Sequence, residues 1–216
     1  MKRKKALTKA KIFKEAIKLA DNYGIANLSM RKLAKKLNIE AMSLYNHLAN
    51  KEELLDGIVD EVFSKIDWRT DTKSKSWKPE LRKQAIAVRA VLLQHPWSIK
   101  LLNSRSNPGP SVLRHHNKVL GLLMSCGFSY SMCAHTYALI DSYVYGFVIQ
   151  ECSLPATRGC DFVEMTASIN ALSRQGFPYL TKMAEEYYLK PEYSFSDEFL
   201  FGLDLILNGV EQAFKH

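Results

Sequence analysis

Residues 28–55 read LSMRKLAKKLNIEAMSLYNHLANKEELL, and the punctuation of this stretch decides the fold. Ser29 is suited to N-cap a helix, with Leu28 before it and Leu33 four positions on as a hydrophobic staple. The spacing predicts a helix over Met30–Leu37 that buries Leu33, Ala34 and Leu37 and exposes Arg31, Lys32, Lys35 and Lys36. Asn38 follows, and Asn is the non-glycine residue most at ease in the left-handed conformation of a tight turn. Ile39 can plug the angle, and a third short helix is expected from Ala41 to Leu48. Asn50 with Glu53 is a capping-box variant that opens a fourth helix through Ile66. Two short helices joined by a turn of three or four residues form a helix-turn-helix arrangement.

The pattern extends in both directions. Upstream, Thr8 caps a helix with Leu7 and Ile12 as staple; Ile12, Phe13, Ala16, Ile17, Leu19 and Ala20 line it, and Gly24 stops it. Downstream, residues 68–78 (WRTDTKSKSWK) read as a polar linker. Helices are then expected over Pro79–Gln94, after the His95-Pro96-Trp97 break to Asn103, over Ser111–Cys126 and over Tyr130–Glu151. Ser106–Pro110 and Ser153–Asp161 read as loops, one or two helices fill 162–188, and a last helix follows a Ser196 cap. No period-2 strand, repeat or low-complexity segment competes with this all-α reading. It divides into an N-terminal helix-turn-helix domain (1–50), a connecting helix (51–66) and a larger helical domain (67–216).

Charge is distributed unevenly. Of the 30 Lys and Arg, thirteen lie in residues 1–51, against only Glu15, Asp21 and Glu40, while the remainder of the chain is close to neutral. A polyanion partner at one end and a neutral module at the other fit such asymmetry. The expected setting is the cytoplasm: the basic start is not followed by a signal-peptide core, no apolar run is long enough to span a membrane, and Cys126, Cys133, Cys152 and Cys160 form no CxxC pair. No phosphate loop, nucleophile elbow, paired carboxylates or helical His pair argues for catalysis, a metal or a cofactor.

In a helix-turn-helix protein the second helix of the motif enters the major groove and the first crosses the backbone. Ala41 and Met42 offer contact to thymine methyls, Ser43 a bond to base or phosphate, and Asn46 or His47 bonds to base edges or phosphate. Lys51 stands at a helix N-terminus, where free amides and the dipole already favour an anion.

With these residues in view, the segment resembles the DNA-binding domain of the tetracycline-repressor-like (TetR) family. The matching pieces are Met30–Leu37, Ser43–Leu48 and Asn50–Leu55; Gly24 and Leu28 fit the preceding segment, and Asn38 replaces the family's usual glycine. The resemblance implies DNA contacts from Ser29 and Arg31 on the second helix, from Ala41, Met42, Ser43, Tyr45 and His47 on the third, and a phosphate contact from Lys51; Met30 and Asn46 stand beside them as further candidate contacts. The C-terminal part resembles the tetracycline-repressor-type effector domain through Gly127-Phe128-Ser129, Asp141–Glu151 and Phe201–Glu211. Ser104–Pro110 lacks the family's His and Thr-Arg-Pro segment, which argues against a tetracycline–magnesium ligand.

One short reading helix covers too few bases, so pairing on a two-fold operator is expected. Tyr137, Ile140, Val144, Phe147 and Glu151 form one stripe; Phe199, Leu203, Ile206, Val210 and Ala213 form another, with Gly202 and Gly209 permitting close approach. Either could be core or interface; the resemblance implies a four-helix dimer interface. Polar and aromatic residues among apolar ones (His95, Trp97, Arg105, His115, His116, Tyr137, Asp141, Tyr143) suit a pocket for a small-molecule effector, which the resemblance also implies. The alternative is a regulator that binds DNA without responding to a ligand.

Overall fold

The protein is described by a computed structural model covering residues 7–67, 76–104, 108–154, 171, 176–190 and 192–215. Its helices are α1 (Lys9–Tyr23), α2 (Met30–Leu37), α3 (Ala41–Tyr45), α4 (Lys51–Ser64), α5 (Trp77–Gln94), α6 (Trp97–Ser104), α7 (Pro110–Ser125), α8 (Tyr130–Ser153), α9 (Pro178–Met183) and α10 (Phe195–Lys215). No strand occurs among the described residues. A 3-10 turn, Ile25–Asn27, joins α1 to α2, and a single π-helical turn, Ala184–Tyr188, follows α9.

The local chemistry read from the sequence is visible at the helix ends. Thr8 accepts a hydrogen bond from the Lys11 amide, Ser29 from the Lys32 amide and Asn50 from the Glu53 amide. Each satisfies one of the amides a helix start leaves open. Asn38 adopts φ 55° and ψ 51°, the left-handed turn expected of it. Leu28 and Leu33, the staple around Ser29, are both fully buried.

Three features differ from expectation. α3 ends at Tyr45 rather than Leu48, because its last turn tightens: the His47 amide donates to the Leu44 carbonyl at 2.9 Å. Leu37 is half-buried, since it closes the end of a two-turn helix with less packed over it. α5 begins at Trp77, two residues before Pro79, which lies within the first turn where a missing N–H costs nothing. The expected linker and the loops after Ser104 and Leu154 lie largely outside the described residues.

The chain forms two compact units, Met1–Ala138 and Leu139–His216. In the first unit α4 packs against both α1 and α7. Gly57 allows the closest approach: a Cβ there would overlap the Phe13 ring of α1. One turn further along α4, Asp60 caps α7. Its Oδ1 accepts the Ser111 and Val112 amides at 2.5 and 3.3 Å, and its Oδ2 accepts the Ser111 hydroxyl at 3.0 Å. In the second unit Val144, Phe147 and Val148 of α8 and Phe199, Leu203, Leu207 and Val210 of α10 are buried, and Phe147 meets Phe199 edge-on with ring centroids 5.2 Å apart. Tyr143 stacks on Phe199 with ring centroids 5.5 Å apart and donates its hydroxyl hydrogen toward the Phe199 carbonyl at 3.0 Å.

Candidate nucleic-acid interface

Leu44 and Leu48 are fully buried and anchor the reading helix α3 to the domain interior. Burial of two leucines is worth about 1.5–3 kcal/mol each, enough to fix which face of so short a helix turns outward. That outward face carries Met42, 74% exposed, with Tyr45 and Asn46; Ala41, Ser43 and His47 are half-buried at its edges. α3 therefore presents an apolar tip, a phenol and an amide on a rigid support.

Around it the cations stand free of the core. Arg31, Lys32, Lys35 and Lys36 are all exposed along α2. Lys32, Lys35 and Lys36 border a groove of about 560 Å³ shared with Leu19, Tyr23 and Asn27. Ser29 is half-buried, its oxygen accepting the Lys32 amide while its hydrogen stays available for a phosphate. Met30, expected among the contacts, is buried: at the first position of α2 its side chain turns inward with Leu33 and Ala34. Lys51 is exposed as the first residue of α4.

The capping box is elaborated beyond its sequence signature. Glu53 accepts the Ala49 amide at 2.6 Å and pairs with Lys9 of α1 at 2.5 Å. The Lys9 ammonium, then the Ala49 amide, hold its carboxyl below the usual carboxylate range. Asn50 and Glu53 thus tie the starts of α1 and α4 to the turn following the reading helix.

The residues expected to line an effector pocket are distributed over both compact units. His95 and Trp97 both donate to Asp21 of α1, so they serve a polar junction rather than a cavity wall. His115 is buried on α7, with the Gln84 amide nitrogen 2.7 Å from its Nε2 and Phe63 against its ring. Burial, assisted by the neighbouring His116 and Lys118 charges, pushes its pKa down to about 4. His116 packs edge-on to Tyr137, centroids 4.7 Å apart. Asp141 and Tyr143 belong to the second unit, where Asp141 accepts the Tyr145 hydroxyl and Tyr143 meets α10. Arg105 lies outside the described residues. Sequence reasoning missed Gln84, Glu80 and Asp60; the signal was present, since three polar residues sit on otherwise apolar helix faces.

The stripes expected at a dimer interface are placed inside a single chain. Ile140, Val144, Phe147, Phe199, Leu203 and Val210 are buried, while Tyr137 and Ile206 are half-buried. The apolar groups left outside are Leu139 (53% exposed) and Ile149 (51%) on α8, with Leu200, Phe201 (66%) and Leu205 (57%) on α10. The stripe with the cleanest spacing was the one that packs within the chain.

A short buried-anchor reading helix, a capped two-helix corner and a row of exposed cations define a helix-turn-helix DNA-binding regulator. Comparison with known proteins agrees. Residues 12–58 match the bacterial regulatory proteins, tetR family, and residues 70–214 match the tetracyclin repressor-like C-terminal domain. The chain is 35% identical over 148 residues to an HTH-type transcriptional regulator of Saccharopolyspora erythraea, covering 68% of this chain and 62% of that protein's length. It is 30% identical over 216 residues to the HTH-type transcriptional repressor DrrR1 of Streptomyces coeruleorubidus, covering 96% and 78%. Among solved structures, the Streptomyces coelicolor TetR family protein ActR in complex with actinorhodin superposes with a TM-score of 0.78 at 24% identity, covering 98% and 100%. The chain belongs to the TetR family of bacterial transcriptional regulators. Among the described residues no helix is long and apolar enough to cross a membrane.

Proposed function

We propose that the protein acts in the cytoplasm as a homodimeric repressor, bound to a palindromic operator and released from it by a small-molecule effector. The observation that carries the reading is the outward face of α3, Met42, Tyr45 and Asn46, held by buried Leu44 and Leu48 and flanked by Arg31 and Lys51. Ser29, Arg31 and Lys51 take phosphates. Ala41, Met42, Ser43, Tyr45, Asn46 and His47 read the groove. DrrR1 is named a repressor, which supports that sense of control here.

Pairing uses the apolar face that the single chain leaves open: Leu139, Ser142, Gly146 and Ile149 of α8 with Phe201, Leu205 and Gly209 of α10. Open space lies where a Cβ of Gly146 or Gly209 would point, room into which a second copy's helices can settle.

The effector reading rests on polar groups buried in an apolar interior. Among the described residues, Glu80 Oε2, Gln84 Oε1 and Thr136 Oγ1 are buried with no hydrogen-bond partner. Unpaired acceptors of this kind are uncommon in a finished core and suit a ligand that donates to them. ActR is seen with a bound small molecule, which supports a ligand-responsive reading of the shared fold. An effector favouring a conformation whose two reading helices no longer match the half-sites would release the operator.

The test is selection of duplexes from a random pool, followed by gel shift. A recovered palindrome bound by a dimer supports the reading. Equal retention of all duplexes would contradict it, and binding unaffected by a broad small-molecule panel would favour ligand-independent control.

A further inference from the structure

Asp21 lies in the last turn of α1, and one of its oxygens holds two elements remote in sequence. Oδ1 accepts from His95 Nδ1 at 2.7 Å and from Trp97 Nε1 at 2.7 Å. His95 caps the end of α5 and Trp97 begins α6; both are buried, at 6% and 8% exposure. The other imidazole nitrogen, Nε2, is 3.1 Å from the ammonium of Lys65, the residue that closes α4. A carboxylate only accepts and an ammonium only donates, so the ring hydrogen sits on Nδ1 and Nε2 is the acceptor. Ser98 fixes the corner by donating its hydroxyl hydrogen to the His95 carbonyl at 2.7 Å.

Four helices therefore meet through one carboxylate and one ring. The line continues to the reading head: two residues beyond Asp21, the Tyr23 carbonyl accepts from Asn27 Nδ2 at 2.7 Å, and Asn27 Oδ1 receives Lys32 of α2 at 3.4 Å. The head is thus tied to the α5–α6 corner by a route separate from α4, the covalent connection. Removing Asp21 leaves two buried donors unsatisfied, which biases the corner toward another arrangement.

We infer that Asp21, His95, Trp97 and Lys65 are positioning residues for operator recognition: together they set the angle at which α1 presents the helix-turn-helix to DNA. None of them touches DNA. Their effect is on geometry, so it falls on operators that demand a particular half-site spacing and spares contacts that any phosphate backbone provides.

The experiment uses the full-length protein, the duplex that the wild type selects, and the same duplex with one base pair inserted between half-sites. Asp21→Ala and Trp97→Phe are each expected to weaken binding to the selected duplex by about tenfold, within the usual range of coupling between sites, and to leave the inserted duplex within about twofold of wild type. The salt slope should stay unchanged, and the double variant should lose less than the sum of the singles. Asp21→Glu should restore part of the spacing preference. Equal losses on both duplexes, or strictly additive losses, would mean that these residues only stabilise the fold, and the inference would fall. Hydrogen exchange of the free protein gives a readout without DNA: amides of residues 17–23 should lose protection in Trp97→Phe. If no duplex is selected, the DNA reading fails on its own terms, and unchanged protection in that segment would separately overturn the latch.

Discussion

In the reading head, residues 9–48, the interior is filled by Ile12, Leu28, Leu33, Leu44 and Leu48, and the large apolar groups left exposed are Tyr23, Met42 and Tyr45. Two of those three sit on the reading helix. In the second compact unit Phe199, Leu203 and Leu207 are fully buried, yet Leu139, Ile149, Phe201 and Leu205 stand half or more exposed along one pair of helices. The first region is closed upon itself and keeps its outer face for a charged, hydrated partner. The second leaves more large apolar groups exposed, on α8 and α10 and also on α9 at Tyr179, Leu180 and Met183. Exposed hydrophobicity alone therefore does not announce one kind of partner: on α3 it stands among cations, and on α8 and α10 it stands among glycines.

The sharpest way to break this contrast is to charge the oily face. Phe201→Asp with Leu205→Glu should convert a dimer to a monomer in light scattering and lower operator affinity at least about a hundredfold, because a single head loses its partner half-site. An intact dimer would move pairing to another surface. Next in size, Leu44→Ala should cost about 2–5 kcal/mol of head stability, seen as a lowered denaturant midpoint, since the side chain is fully enclosed. Tyr45→Ala, one residue along, should cost about 1–3 kcal/mol in operator binding while dimer mass and melting temperature stay as in wild type.

A pH titration probes the interior beside the connecting helix. His115 is held neutral in the fold, its pKa pushed to about 4 from 6.5. Below about 6.5 the unfolded chain takes up a proton that the folded chain refuses. Stability is fully present above that pH and declines as pH falls toward about 4, by at most about 3 kcal/mol. His115→Gln should flatten that segment of the stability curve, and an unchanged slope would show that the ring protonates freely. The smallest expected effect is Lys51→Ala, which should weaken binding to all duplexes and reduce the salt slope by about one.

The head was legible because its instructions are local. Thr8, Ser29 and Asn50 each act within three residues of their own position, and Asn38 needs only its own backbone to make the turn. Met30 escaped that logic: its place at the start of α2 suggested a contact, while its side chain rotates into the interior. The C-terminal part gave up less, for reasons of distance. His95 and Trp97 looked like pocket residues because their partner, Asp21, lies more than seventy positions away. α8 carries apolar residues nearly all round, so spacing identified a buried stripe without saying which neighbour buries it. The stripe of Ile140, Val144 and Phe147 meets its own chain, and the surface proposed for pairing lies on the adjoining side of the same helix.

The capping of α7 by Asp60 sets a mechanical ratio. Asp60 is nine residues from Lys51 on one rigid helix, a lever arm of about 13 Å at ~1.5 Å per residue. With the carboxylate as fulcrum, a tilt of only about 10° would carry the Lys51 end some 2 Å, several times the span of about 0.5 Å over which a hydrogen bond to phosphate holds. A disturbance at the start of α7 too slight to repack the interior would thus be magnified into loss of grip at the far end of the rod.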